Sequence, residues 1–304
     1  MNESASPLQS PARRVAAFSL SRISTIAMST VTQLVRMKTF YFLLAFALLL
    51  FAVGNFNFAS SPAQALSTLK KVSFGAMDLF AWLFAIVATA LLIPRDIEDR
   101  TLYTILSKPV RRIEYLLGKL GGVLIVIAIS LAVMFVICSF MIIWQQLGYI
   151  AAEYDTRDIR TEQEILASVT LIENAGFRGE LIYAAYASFL KSAVVASVTI
   201  LLSTFASSSL FTIIISILVF LVGHAHTMAT NFWLQETDNS LVVQMVLKVV
   251  KILIPNFQLF SFSEGIVQGA SVASGVLLQM SGITAAYLFV FLLISLISFG
   301  DKEF

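Results

Sequence analysis

Residues 94–119 read PRDIEDRTLYTILSKPVRRIEYLLGK, and ten of these 26 positions are charged: Arg95, Asp96, Glu98, Asp99, Arg100, Lys108, Arg111, Arg112, Glu114 and Lys119. The chain as a whole is 12% charged, so this concentration needs a cause. On either side lie apolar runs long enough to cross a bilayer, Ser73–Ile93 before it and Gly121–Trp144 after it. An ionised side chain at the centre of a membrane helix costs about 2.5–3.5 kcal/mol on insertion scales. A cluster of them belongs in water. The island also carries Ile97, Leu102, Tyr103, Ile105 and Leu106, apolar groups with which it can dock. It reads as a docking element held at a membrane face between two crossings.

Composition agrees with this reading. The chain is 58% hydrophobic, and its mean hydropathy is +0.88. The apolar residues form long blocks and are not dispersed, which predicts one multi-span bundle and argues against two soluble domains. A net charge of +2 over 304 residues is too small to point to nucleic acid. The one cysteine, Cys138, falls inside an apolar run, so neither an internal disulfide nor a cysteine metal cluster is encoded. Windows of about 20 apolar residues occur at Thr39–Phe58, Ser73–Ile93, Gly121–Trp144, Tyr183–Phe205, Leu210–Met228 and Val276–Phe299. Lipid offers backbone groups no partner, so each window is expected to be a helix. The expected fold is an all-α integral membrane protein with six transmembrane helices.

Lysine and arginine in the flanks set the expected orientation. With the N-terminus cytoplasmic, the inner segments hold 12 basic residues and the outer ones 7. Both termini are therefore expected inside, with residues 1–37 a cytoplasmic leader and 38–304 the six-span domain. Residues 149–182 form an expected external loop. Within it, Tyr149–Glu180 holds seven acidic residues. Residues 229–275 are expected to form short external helices before the last span. One stretch there, Ser240–Ile254, is apolar enough to resemble a further crossing. Ser240, Gln244, Lys248 and Lys251 make a single polar stripe along it, and Pro255 stops it. An interfacial or re-entrant helix suits that stripe; a crossing would move the C-terminus to the other side.

Arg22–Arg36 has its own pattern. Ile23, Ile26, Ala27, Val31 and Leu34 fall on one helical face, with Arg22, Thr25, Ser29, Gln33 and Arg36 on the other. This predicts a basic amphipathic helix lying on the inner membrane surface, against lipid, just before the first span.

Few residues suit chemistry. Asp78 and Lys191 are the acidic and basic residues inside predicted spans apart from histidine, and groups so placed face the bundle interior or water. Both fall toward the outer side, which makes them a possible intramembrane pair. His224, His226 and Met228 suggest a metal site, but residues two apart on a helix point roughly 200° apart, so no metal is expected. The chain has no G-x-x-x-x-G-K-[ST] phosphate loop, no H-E-x-x-H and no G-x-S-x-G. It lacks the means to hydrolyse a nucleotide, so an active process must draw on a partner.

The segment Asp96-Ile97-Glu98, Thr101-Leu102, Leu106-Ser107-Lys108-Pro109, Arg112 and Glu114-Tyr115-Leu116-Leu117-Gly118-Lys119 resembles the membrane subunit of type-2 ABC exporters. It resembles in particular the permeases of the multicopper-enzyme maturation type. The layout matches from Arg22 to Phe304; specific residues match densely only in this segment. The resemblance implies an ATP-driven permease with no catalytic site and no bound cofactor of its own. ATP and magnesium would sit on a separate ABC ATPase subunit, in the inner membrane of the cell. A second permease protomer, identical or related, and membrane lipid complete the implied partners. It further implies that Arg95, Asp96, Glu98, Asp99, Arg100, Thr101, Leu102, Leu106 and Lys108 form the coupling helix that seats on the ATPase. The family commonly has Gly where this chain has Arg100, so the partner is expected to offer that side chain a carboxylate or backbone carbonyls. The mixture of acids with Arg95 and Arg100 independently suits a polar protein groove better than lipid headgroups, which attract bases. An alternative is a membrane scaffold that uses ATPase cycling to act on periplasmic proteins without moving a solute; the outer loop is the feature that would serve it.

Overall fold

Apolar blocks in a chain with no water at mid-membrane leave the backbone one local solution, and the described chain is helical throughout. The computed structural model describes residues 19–55, 61–98, 111–155, 161–206, 208–235, 255–260, 262–267, 269 and 274–300. In order they form α1 (Leu20–Val35), α2 (Lys38–Asn55), α3 (Pro62–Glu98), α4 (Arg112–Asp155), α5 (Glu162–Ala175), α6 (Leu181–Phe205) and α7 (Ser209–Gln235). A single 3-10 turn (Phe257–Phe260), α8 (Phe262–Val267) and α9 (Ser274–Gly300) follow. Among the described residues four helices are long and apolar enough to cross a membrane: α3, α4, α6 and α9. α1 and α2, bent by 65° at their junction, make a fifth if taken as one broken crossing. The apolar part of α7, Ser209–Ala225, is shorter.

Several helices outrun their apolar windows. Pro94, the residue just past the apolar window Ser73–Ile93, lies inside α3, which continues to Glu98. A proline removes one backbone donor, and membrane helices tolerate that loss where neighbours support the turn. α4 has 44 residues. At 1.5 Å per residue it is roughly 66 Å long, about twice the hydrocarbon thickness. The stretch expected as an outer loop is also largely helical. α4 runs on to Asp155, and α5 then turns Ile165, Val169 and Ile172 inward at helical spacing. Glu164 opens α5 by accepting the Thr161 N–H at 3.2 Å.

Side-chain contacts fix the helix directions. Phe40 packs edge-on against Phe80 and Phe84, while Gly54 lies against Val72 and Leu69, so α2 runs antiparallel to α3. Phe135 of α4 meets Phe74, and Gln146 accepts the Phe177 N–H at 3.0 Å beside the turn where Lys70 Nζ donates to the Gly176 carbonyl. α4 is therefore antiparallel to α3 as well. α6 runs parallel to α3, since Gly176 just before it meets Lys70 and Lys191 within it meets Asp78, and α7 packs beside α6 with Phe220 at Lys191. Tyr186–Ser281 and Thr204–Ser298 contacts set α9 parallel to α6.

The centre of the bundle is α6. Every residue from Leu190 to Ile200 is buried, and Ser192, Ala193, Ala196 and Ser197 are small enough for neighbours on several sides to approach. Ala196→Phe is expected to destabilise the bundle by about 1–3 kcal/mol through overpacking. A lower unfolding temperature in detergent, beside an unchanged value for Leu210→Phe at an exposed position, is the check.

Candidate functional site

The charged island is flanked by two helical posts, the end of α3 and the start of α4. The backbones of Arg95, Asp96 and Glu98 form the last turn of α3. Asp99, Arg100, Thr101, Leu102, Leu106 and Lys108 lie outside the described residues, as does Ser240–Ile254.

The start of α4 is clamped by α1, and a carboxylate makes the clamp. Glu114 is fully buried, with 0% exposure. Its Oε1 accepts the Ser19 N–H at 2.8 Å and lies 3.3 Å from Arg22 Nη2. Its Oε2 accepts the Arg111 N–H at 3.0 Å, the reach-back bond of a capping box. A negative charge in the first turn also complements the dipole of α4. Glu114 precedes the apolar window that begins at Gly121 and so lies outside the crossing. Burial pushes its carboxyl upward, but the Arg111 and Ser19 amides and the Arg22 guanidinium outweigh that and hold it below the ordinary 4.5. A depressed value means the carboxylate's contribution is complete above the ordinary range and is lost as pH falls through the lower folded value.

Two glycines let α1 come this close. A Cβ on Gly118 would stand 2.6 Å from Ile26 Cγ2, and one on Gly122 would stand 2.5 Å from Thr30 Cβ and 2.8 Å from the Ala27 carbonyl oxygen. Further along, Lys119 Nζ donates to Gln33 Oε1 at 3.2 Å. The amphipathic helix expected to lie against lipid thus turns its apolar face, including Ala27 and Leu34, to protein. Amphipathicity says that a face needs cover, not what covers it. Charge count and family pattern single out Glu114, Gly118 and Lys119, but neither reveals their joint role in seating α1. The signals were present: an acid three residues after Arg111, and a Gly118-x-x-x-Gly122 spacing.

At the other level of the bundle, Lys191 Nζ on α6 donates to Asp78 Oδ2 on α3 at 2.8 Å. The lysine side chain is 9% exposed and the aspartate 26%. The same ammonium lies 5.5 Å from the centroid of the Phe220 ring. Phe220 stacks on Trp82 with centroids 4.2 Å apart and contacts Phe257 at 5.2 Å, so α3, α6, α7 and the 3-10 turn meet around one cation. Gly223 admits this turn, since a Cβ there would stand 2.5 Å from the Pro255 carbonyl oxygen. His224 stacks near Phe220 at 6.1 Å. The His226 and Met228 side chains lie outside the described residues. Among the described residues no cluster of His, Cys, Asp and Glu has the makings of a metal site.

Residues 58–304 match the model of a family described as ABC-2 family transporter protein. α1 and α2 precede the matched stretch. No curated protein matches the chain.

Removing the Glu114 carboxylate leaves the Ser19 and Arg111 N–H groups without their acceptor, which is expected to cost about 1–3 kcal/mol. Glu114→Ala should therefore lower the unfolding temperature in detergent, with Glu114→Gln recovering part of the loss. If both variants melt with the parent protein, the clamp is not what holds α1.

Proposed function

The chain belongs to the ABC-2 family of transporter proteins, and is thus a multi-pass membrane subunit of an ABC transporter; from that premise we propose that it couples a separate ATPase to movement across the membrane as one half of a dimeric exporter. The observation that carries this reading is the family match over residues 58–304, joined to the charged island that the match contains. In the proposed arrangement α2, α3, α4, α6, α7 and α9 are the six crossings, and both termini are cytoplasmic in an inner membrane. The alternating helix directions and the 12-to-7 distribution of basic residues support it.

Residues 94–108 would seat on the ATPase. Acids and bases there fix register, and Leu102 and Leu106 supply buried area. ATP binding at the partner favours one of two conformers of the pair, and the permease responds only as far as its docking differs between them. The Glu114 clamp gives that response a route, because a push on the segment reaches α3, α4 and α1 together. Resemblance in the same segment supports placing the protein beside the multicopper-enzyme maturation permeases.

A second reading keeps the ATPase and drops the solute: conformational work is passed to a periplasmic protein. The observation that favours it is α5, whose Ile165, Val169 and Ile172 are buried, so that α5 is tied to α3 and α4.

Co-expression with an ABC ATPase is expected to yield a co-purifying complex. A double reversal, Asp96→Lys with Glu98→Lys, should abolish it while leaving membrane insertion intact. A thiol introduced at Thr104 should react from the cytoplasmic side. Reaction from the opposite side only would overturn the docking assignment. ATP-dependent flux in proteoliposomes selects the exporter, and ATP-dependent binding of a periplasmic protein without flux selects the scaffold.

A further inference from the structure

α3 is enclosed around most of its circumference, yet one line along it is open. Gln64, Thr68, Lys71, Gly75, Asp78 and Trp82 recur at alternating spacings of four and three, which places them on one helical face. Gln64, Lys71 and Gly75 are exposed, and Thr68, Asp78 and Trp82 are half-buried. A Cβ built on Gly75 meets nothing within 4 Å. Off this line, Leu66, Leu69, Met77 and Phe80 are wholly buried.

The first five positions carry no apolar side chain. That is the reverse of the open faces on other crossing helices, which show Val136 and Phe140 on α4 and Leu278 and Phe289 on α9. Such faces suit lipid. The α3 line does not: Gln64, Thr68 and Lys71 precede the apolar window Ser73–Ile93, and inside it Asp78 is a charge of the kind that faces a protein interior or a water-filled space, because turning it to hydrocarbon is expensive. Asp78 gives one oxygen to Lys191 and keeps its other oxygen free of protein partners among the described residues. Past Asp78 the line closes: Trp82 is stacked on Phe220, and the next position, Ala85, is fully buried.

We infer that this face of α3 is one wall of an aqueous vestibule, open at the Lys70 end and floored by the Trp82–Phe220 stack, that receives polar or anionic groups. Gln64 to Asp78 spans roughly 21 Å of helix at 1.5 Å per residue. Asp78 and Lys191 neutralise each other. Lys71 has no ion pair among the described residues, so the wall carries a net positive charge. Net charge of that sign raises the local concentration of anions and lowers that of cations. The inference deepens the permease reading and rests on it, since a membrane path needs a wetted wall. The two fail separately: an ATPase that still co-purifies leaves the family role intact whatever this wall does.

Membrane-impermeant thiol reagents test it on the full chain in native membranes, in a Cys138→Ala background. Gly75→Cys on the wall is compared with Gly282→Cys, an open position at a similar level on the apolar face of α9. Gly75→Cys should react and Gly282→Cys should not. A second comparison reads one turn further in: Asp78→Cys carried with Lys191→Ala, which leaves no uncompensated charge, against Ala286→Cys. Normalised to a free thiol, an anionic reagent should outpace a cationic one at position 75, and Lys71→Gln should erase the difference. Silence at 75 and 78, or equal labelling at 282 and 286, overturns the vestibule. Faster cationic labelling overturns the ligand class.

Discussion

Every unusual feature of this protein follows from the cost of placing polar groups in hydrocarbon. Backbone amides and carbonyls must be satisfied locally, so the apolar blocks are helical. Side-chain charges must leave the core, pair within it or face water. The island at residues 94–119 is proposed to take the first course and the open line of α3 is inferred to take the third, while Lys191 and Asp78 pair at 2.8 Å.

The helices were legible as helices because hydropathy reports which residues avoid water. Their ends were not. α3 begins at Pro62 and ends at Glu98, and α4 reaches Asp155, all beyond their apolar windows. A polar helical extension carries no hydropathy signal. It is stabilised by what it packs against, as α5 shows in covering α3 and α4. Asp78 and Lys191 were both recognisable as misfits in apolar runs. Their contact depends on the register of α3 against α6, which composition does not encode.

The relation of α1 to α4 shows the same limit from another side. The sequence displays a helix with an apolar face, and the cheapest cover for such a face beside a membrane is lipid. The structure covers it with the opening turns of α4 instead. That choice rests on particular residues: two glycines that admit the approach and one glutamate that collects two N–H groups and a guanidinium. Each is ordinary alone. Their convergence on one helix start is a three-dimensional fact, and it falls beside the segment proposed to meet the ATPase.

The 65° bend between α1 and α2 gains meaning from those attachments. α1 is fastened to α4, α2 is packed along α3, and α3 and α4 pack on each other. The four helices form a closed linkage, and the corner at Arg36–Met37 is one of its joints. The backbone there stays bonded, with the Met37 N–H on the Leu34 carbonyl at 3.0 Å and the Phe40 N–H on the Met37 carbonyl at 3.1 Å. In such a circuit no bar turns alone. A shear between α3 and α4 at the end holding Glu114 must reappear as a change of angle at that corner, so Arg36 and Met37, which touch neither Glu114 nor the Lys191–Asp78 pair, set how far the linkage can travel.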